Sequence, residues 1–285
     1  MKEKFGVFDA VVYLLMAFVL VVTLYPLLHV VAVSFSDSAQ ILQNKVGIIP
    51  RGFSLDAYEK ILETMKVPRA FFNSILYAVV GTTVNLVMTA VMAYPLSKTN
   101  LVGRSVFMKL IIFTLLFNGG TIPTYLVVDA LGLIDSMWSL VLPNAIWTME
   151  LFILVSFYRS LPASLFESAK LDGASELTIL LRIVLPLSKA SLASIALFYF
   201  MGHWNSYFLP LIYLTSSEKF PLQLVLKDML ISDSTQVSGL VESAALTPAA
   251  VKNATIVITM VPVMLAYPFA QKYFVKGVMI GSIKG

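Results

Sequence analysis

The stretch AVVYLLMAFVLVVTLYPLLHVVAV, residues 10–33, contains no Lys, Arg, Asp or Glu. At a rise of roughly 1.5 Å per residue, a helix of this length crosses the roughly 30 Å hydrocarbon core of a bilayer. Working outward, five more apolar blocks follow at 71–96, 106–131, 137–158, 187–214 and 251–274. The composition agrees: of 285 residues, 58% are hydrophobic and only 13% charged. A soluble domain carries about a quarter charged residues. The expected fold is an all-α integral membrane protein, with six transmembrane helices in one domain over 1–285.

Lys2 and Lys4 precede the first block, the pattern of a signal peptide. Its apolar run exceeds the roughly 7–15 residues of a signal core and no small-x-small site follows, so a retained span is expected. Asn118-Gly119-Gly120 and Pro123 interrupt the third block. A broken helix at membrane depth requires protein or a water-filled cavity to satisfy the freed backbone groups. Pro262 and Pro268 predict a bent sixth span.

Six spans put both termini on one side, together with most of the 20 Lys and Arg, including Lys98, Arg104, Arg159, Lys170 and Arg182. Basic loops stay in the cytoplasm, so the termini are expected there. The net charge of +4 is then a topology signal, and no basic cluster or RNA-reading motif points to nucleic acid. The chain has no cysteine, which excludes disulfides, thiolate metal sites and thiol catalysis. His29 and His203 lie far apart without ligand spacing, so each is read as an interhelical hydrogen bonder rather than a metal ligand. No catalytic residue is assigned.

Two outer loops, 34–70 and 215–250, are long enough to hold structure. Leu55, Tyr58 and Leu62 recur at i, i+3 and i+7, predicting a short amphipathic helix over 54–63. The connection at 161–186 reads LPASLFESAKLDGASELTILLRIVLP. Ser164 and Glu167 fit a capping box that would start a helix after Pro162. Leu165, Ala169 and Gly173 form a stripe ending in small residues, and Asp172-Gly173 is a stop signal. A second helix beginning near Ser175 would put Leu177, Leu180, Leu181 and Val184 on a membrane-facing side before Pro186 turns the chain. Small residues beside a fixed acid suit a groove on a soluble partner, with the acid meeting an Arg. The same residues also suit plain capping and termination, and composition alone leaves both open.

Glu167-Ser-Ala-Lys-Leu-Asp-Gly-Ala174 followed by Ile183-Val-Leu-Pro186 resembles the E-A-A…G…I-x-L-P loop of ABC-importer permeases. Ala93-Tyr-Pro-Leu-Ser97, Asn73-Ser74, Trp204-Asn205 and the tail from Phe274 to Gly285 resemble the carbohydrate-importer permeases related to the maltose system. Phe117 to Tyr125 and Gly202-His-Trp-Asn205 are most similar to the aldouronate and complex-oligosaccharide subgroup. The resemblance implies a type I ABC importer permease fold in the bacterial cytoplasmic membrane. Its loop 161–186 would be a coupling helix entering the ATPase, with Glu167, Ser168, Ala169, Asp172 and Gly173 as the coupling residues. Ser168 stands where the family has alanine.

The resemblance also implies a second permease (a different chain in a heterodimer), two ATP-binding subunits, an extracytoplasmic solute-binding protein and a sugar or oligosaccharide substrate. This chain has no G-x-x-x-x-G-K-[ST] loop, so ATP and Mg are expected on the partner ATPase and no cofactor here. Candidate translocation-pathway residues are Asn144, Trp147, Glu150, Trp204, Asn205 and Tyr207. Aromatic faces pack on sugar CH groups and amides serve hydroxyls, while an ionisable residue at membrane depth is a functional candidate by default. The competing account is interfacial aromatics and interhelical amides, with Glu150 solvated or paired to the second permease. The rival functions are an ion-gradient-driven secondary transporter, which predicts inverted repeats that the sequence lacks, and an ABC permease for a non-sugar solute.

Overall fold

The computed structural model describes residues 6–63, 66–231 and 247–281, and every extended element among them is helical apart from one isolated bridge between Ser36 and Phe53. Three helices are long and apolar enough to cross a membrane, or up to six if each bent pair counts as one span. The three are Val7–Ser34, Lys66–Ser97 and Pro248–Leu265. The last belongs to an uninterrupted helix Pro248–Gly281 that continues through Pro262 and Pro268. The family-like tail runs on from Phe274, and its final residues 282–285 lie outside the described residues, as do Lys2, Lys4 and 232–246 of the outer loop.

The bent pairs coincide with helix-breaking sequence. Arg104–Leu116 and Thr121–Ala130 meet at 114° across Asn118-Gly119-Gly120. There the Asn118 Oδ1 accepts from the Gly120 N–H at 2.8 Å, closing the turn locally. Trp138–Asn144 and Thr148–Ser160 meet at 52°. Glu176–Leu187 and Lys189–Trp204 meet at 81°, so the turn falls at Ser188 rather than Pro186. Pro186 sits in the first turn of its short helix, where its missing N–H costs nothing. The block expected to run to 214 stops at Trp204, and Phe208–Tyr213 is a separate helix.

The chain divides into two compact units, Met1–Arg69 with Val225–Pro262, and Ala70–Leu224 with Val263–Gly285. In the first, only Ala32, Val33 and Ser34 of the helix Val7–Ser34 are buried, leaving an apolar shaft for lipid or another subunit. His29 donates from Nδ1 to the Gly47 carbonyl at 2.9 Å, so its partner is a loop and not another span. Phe35 stacks on Phe53 and Tyr58 at 5.8 and 5.0 Å. The short helix expected over 54–63 is Asp56–Glu63, but it turns a different face inward from the expected one. Ala57 and Ile61 are buried, while Leu55 and Leu62 are exposed. The Tyr58 hydroxyl, donating to Ser34 Oγ at 2.9 Å, fixes this rotation.

In the second unit, Ala90, Ala93, Tyr94 and Leu96 of the helix Lys66–Ser97 pack with Leu151, Leu154, Val155 and Tyr158 of the helix Thr148–Ser160. Between helices in lipid, association comes from close packing and hydrogen bonds, and small residues such as these alanines permit it. Thr89 and Tyr199 add a buried hydroxyl pair at 2.6 Å.

At the other end of this unit Asp135 pins two turns together. Its Oδ1 accepts from the N–H groups of Thr215 and Ser216 at 3.0 Å, and its Oδ2 from Ser216 Oγ and Lys219 Nζ at 2.6 Å. Asn73 donates to the Glu218 and Phe220 carbonyls at 2.8 and 3.1 Å, and Ser74 Oγ accepts from the Leu222 N–H at 2.8 Å. The Asn73-Ser74 pair noted in the sequence therefore holds the segment 218–222. The Lys219 ammonium, then the Ser216 hydroxyl and amide, push the Asp135 carboxyl well below its usual range. A carboxylate depressed in the folded state stabilises above its unfolded pKa of about 4 and loses that contribution as pH falls through the folded value. Asp135→Asn should lower the melting temperature of the purified protein at neutral pH, with the gap to wild type narrowing below about pH 4; a gap independent of pH contradicts the pin.

Candidate functional site

The helix Ala163–Leu171 starts on Pro162, and no side chain caps it. Ser164 lies inside the helix, so the expected Ser164–Glu167 box does not form. Glu167 and Ser168 are exposed. Ala169, on the underside, is 8% exposed and joins the core with Leu154, Tyr158, Ile179 and Leu180. Asp172 follows as the exposed C-cap. Gly173 then takes φ +77°, and a Cβ there would meet nothing within 4 Å. Its glycine is needed for the left-handed backbone and not for space inside this chain.

Ser175 does cap the next helix, its Oγ accepting from the Thr178 N–H at 3.2 Å. The expected face splits: Leu180 and Val184 are buried with Ile179, whereas Leu177 and Leu181 are exposed. A π-helical turn over Leu180–Val184 accompanies this change of face.

Glu176 fastens the loop to the end of the helix Lys66–Ser97. Its Oε2 accepts from the Tyr94 hydroxyl at 2.6 Å and from Lys98 Nζ, and its Oε1 lies 3.3 Å from Lys170 Nζ. These donors, Lys98 first and Tyr94 next, hold the carboxyl down to about 2. The clamp is therefore charged throughout the neutral range and is lost only as pH falls through that value.

A cavity of about 250 Å³ opens beside the break after Asn144, with Tyr77, Asn144, Trp147, His203 and Ser206 in its wall. The break frees the Asn144 carbonyl, and Asn85 Nδ2 donates to it at 2.6 Å. Asn85 Oδ1 in turn lies 2.7 Å from His203 Nε2. Two glycines permit this geometry: a Cβ at Gly202 would collide with the Trp147 ring, and one at Gly81 with the His203 ring edge. Trp147 also meets Tyr199 edge-on at 5.0 Å.

Of the expected pathway residues, the structure brings Asn144 and Trp147 together in this cavity. Glu150 is half-buried in the first turn of Thr148–Ser160, where the helix dipole favours a carboxylate. Trp204 is 1% exposed, packed between Phe71 and Phe200, so its ring faces protein. Asn205 is exposed and donates back to the Met201 carbonyl at 2.9 Å, and Tyr207 is exposed. Sequence reasoning missed Glu176 and Lys98, separated by 78 positions, and the cavity-facing roles of Tyr77, His203 and Ser206. His203 does bridge helices, as read from the sequence, through Asn85.

No protein-family model matches the chain. It is 42% identical over 288 residues, covering 100% of both chains, to the polygalacturonan/rhamnogalacturonan transport system permease protein YtcP of Bacillus subtilis (strain 168). It is 45% identical to Protein LplC of the same organism, covering 98% of this chain and 95% of that one. A crystal structure of a bacterial ABC transporter involved in the import of the acidic polysaccharide alginate superposes with a TM-score of 0.90 at 32% identity, covering 96% of this chain and 99% of that chain. With relatives above 40% identity and a solved structure matched over almost the whole chain, the chain belongs to the permease family of carbohydrate ABC importers.

Proposed function

We propose that this chain is one half of the pathway of a type I importer, a single permease domain with six spans over 1–285 and both termini in the cytoplasm. In this reading the bent pairs Arg104–Ala130 and Trp138–Ser160 are one span each and Lys189–Trp204 is the fifth span, with the loop 161–186 before it on the cytoplasmic side. The helix Ala163–Leu171 is the coupling helix, presenting Glu167, Ser168, Asp172 and Gly173 to an ATP-binding subunit while Ala169 anchors it. One observation carries this reading: a helix anchored beneath by Ala169, presenting Glu167 and Ser168 together with Leu165 and Leu171 on its free face, and locked through Lys170 and Glu176 to the helix Lys66–Ser97.

ATP and Mg bind on the partner ATPase, and two such subunits, a second and different permease chain and an extracytoplasmic solute-binding protein complete the complex. The substrate is an oligosaccharide with uronic acid units. Polygalacturonan in one relative's name and the acidic polysaccharide alginate in the structural neighbour support that class.

Gly173 has open space around it but sits at φ +77°, where any side chain strains the turn; Asp is among the side chains that tolerate this region best, which makes Gly173→Asp the mildest charged probe of the partner. ATP-driven uptake in the reconstituted complex should fall by about tenfold or more with membrane insertion unchanged, a loss of the usual size for coupling between sites. Wild-type uptake in that variant would remove the coupling role. The Glu176 clamp has its own test. Glu176 is 54% exposed, so the pair is screened and adds less than about 1 kcal/mol to stability. Lys98→Glu should instead lower uptake severalfold, and adding Glu176→Lys should restore it; failure of the double variant to recover would mean that the clamp does not transmit motion.

A further inference from the structure

The Asn85 network fixes which nitrogen of His203 carries the proton. A backbone carbonyl only accepts, so the group facing the Asn144 carbonyl must be the Asn85 amide nitrogen. The Asn85 oxygen therefore faces His203, and the neutral imidazole must carry its hydrogen on Nε2. Nδ1 is left as a bare acceptor, and no hydrogen bond to it is made among the described residues. His203 lines the cavity. The Asn144 amide and the Ser206 hydroxyl in the same wall are also without a described partner, and the Trp147 ring borders the space.

The cavity wall carries no Lys, Arg, Asp or Glu. Its free groups are a neutral acceptor, an amide and a hydroxyl, which together match the hydroxyls of a sugar ring and offer nothing to balance a carboxylate. At about 250 Å³ it is smaller than the roughly 300–1,000 Å³ of sites that enclose a whole ligand. That volume suits one ring of a longer chain.

We infer that this cavity is a subsite for a single sugar ring of the transported oligosaccharide, with His203 Nδ1 accepting from a ring hydroxyl and Trp147 bordering the ring. The subsite rests on the sugar-permease reading above. It places a substrate contact on this chain at the broken fourth span, and it assigns that contact to hydroxyls even where the substrate is acidic. Asn85 is a positioning residue here: it closes the freed Asn144 carbonyl and sets the tautomer.

The test uses the whole complex in proteoliposomes, following ATP-driven uptake of radiolabelled digalacturonate and binding-protein-stimulated ATP hydrolysis in the same vesicles. His203→Phe keeps a ring in the wall and removes the Nδ1 acceptor together with the donor toward Asn85. Uptake should fall about tenfold, the size expected for one lost hydrogen bond, with stimulated hydrolysis retained. Wild-type uptake in this variant overturns the subsite. Should His203→Phe prevent assembly, Ser206→Leu decides, because it fills the cavity without touching the Asn85 bond: reduced uptake with hydrolysis intact supports the subsite, and undiminished uptake overturns it. Failure of the assembled wild-type complex to take up either digalacturonate or a neutral arabinotriose would overturn the sugar reading itself, and the subsite with it.

Discussion

The Glu176 carboxylate is the point on which the loop 161–186 depends. Tyr94 and Lys98 reach it from the end of the helix Lys66–Ser97, and Lys170 reaches it from the helix Ala163–Leu171. Ala169 adds a small apolar foot set into the core beside Tyr158 and Leu154. A loop held by both a charge cluster and a packed alanine moves with the helix it is fastened to. Glu167 and Ser168, on the same short helix, are left facing outward. Force applied at that exposed face has a direct path to the helix Lys66–Ser97, because no hinge separates the contact from the clamp except the turn at Gly173.

The second constraint is the demand that broken backbone be satisfied at membrane depth. The fold meets it with a side chain at two of its breaks. Asn85 answers the Asn144 carbonyl, and Asn118 closes its own turn. The first of these also creates the cavity, since a helix that stops at Asn144 and restarts at Thr148 leaves room that Trp147, His203 and Ser206 line. The same amide that stabilises the break thus determines which nitrogen His203 presents. Structure and binding chemistry share one residue.

Much of this was legible in the sequence, because long apolar runs and breaker residues act locally. The run at 10–33 and the Asn-Gly-Gly interruption mark helix and break directly. Ser175 and Gly173 behaved as cap and stop because both effects need only neighbouring backbone. What failed depended on contacts distant in sequence. The Asp56–Glu63 helix turned Ala57 and Ile61 inward because Tyr58 is tethered to Ser34, a partner that periodicity cannot see. Ser164 and Glu167 match a capping box, yet the helix begins earlier, on Pro162. Trp204 read as a sugar platform, but Phe71 and Phe200 cover it. Glu176 looked like one more acid in a loop until folding brought Lys98 to it.

The central claim is that the exposed face of Ala163–Leu171 contacts the ATPase. The chain has no cysteine, so a single one introduced at Ser168 gives an unambiguous cross-link. The assembled complex carrying Ser168→Cys, treated with a short thiol-to-amine cross-linker and analysed by mass spectrometry, should join this position to the ATP-binding subunit. Cross-links from Ser168→Cys only to the second permease or to lipid, with the ATP-binding subunit present and active, would contradict the account.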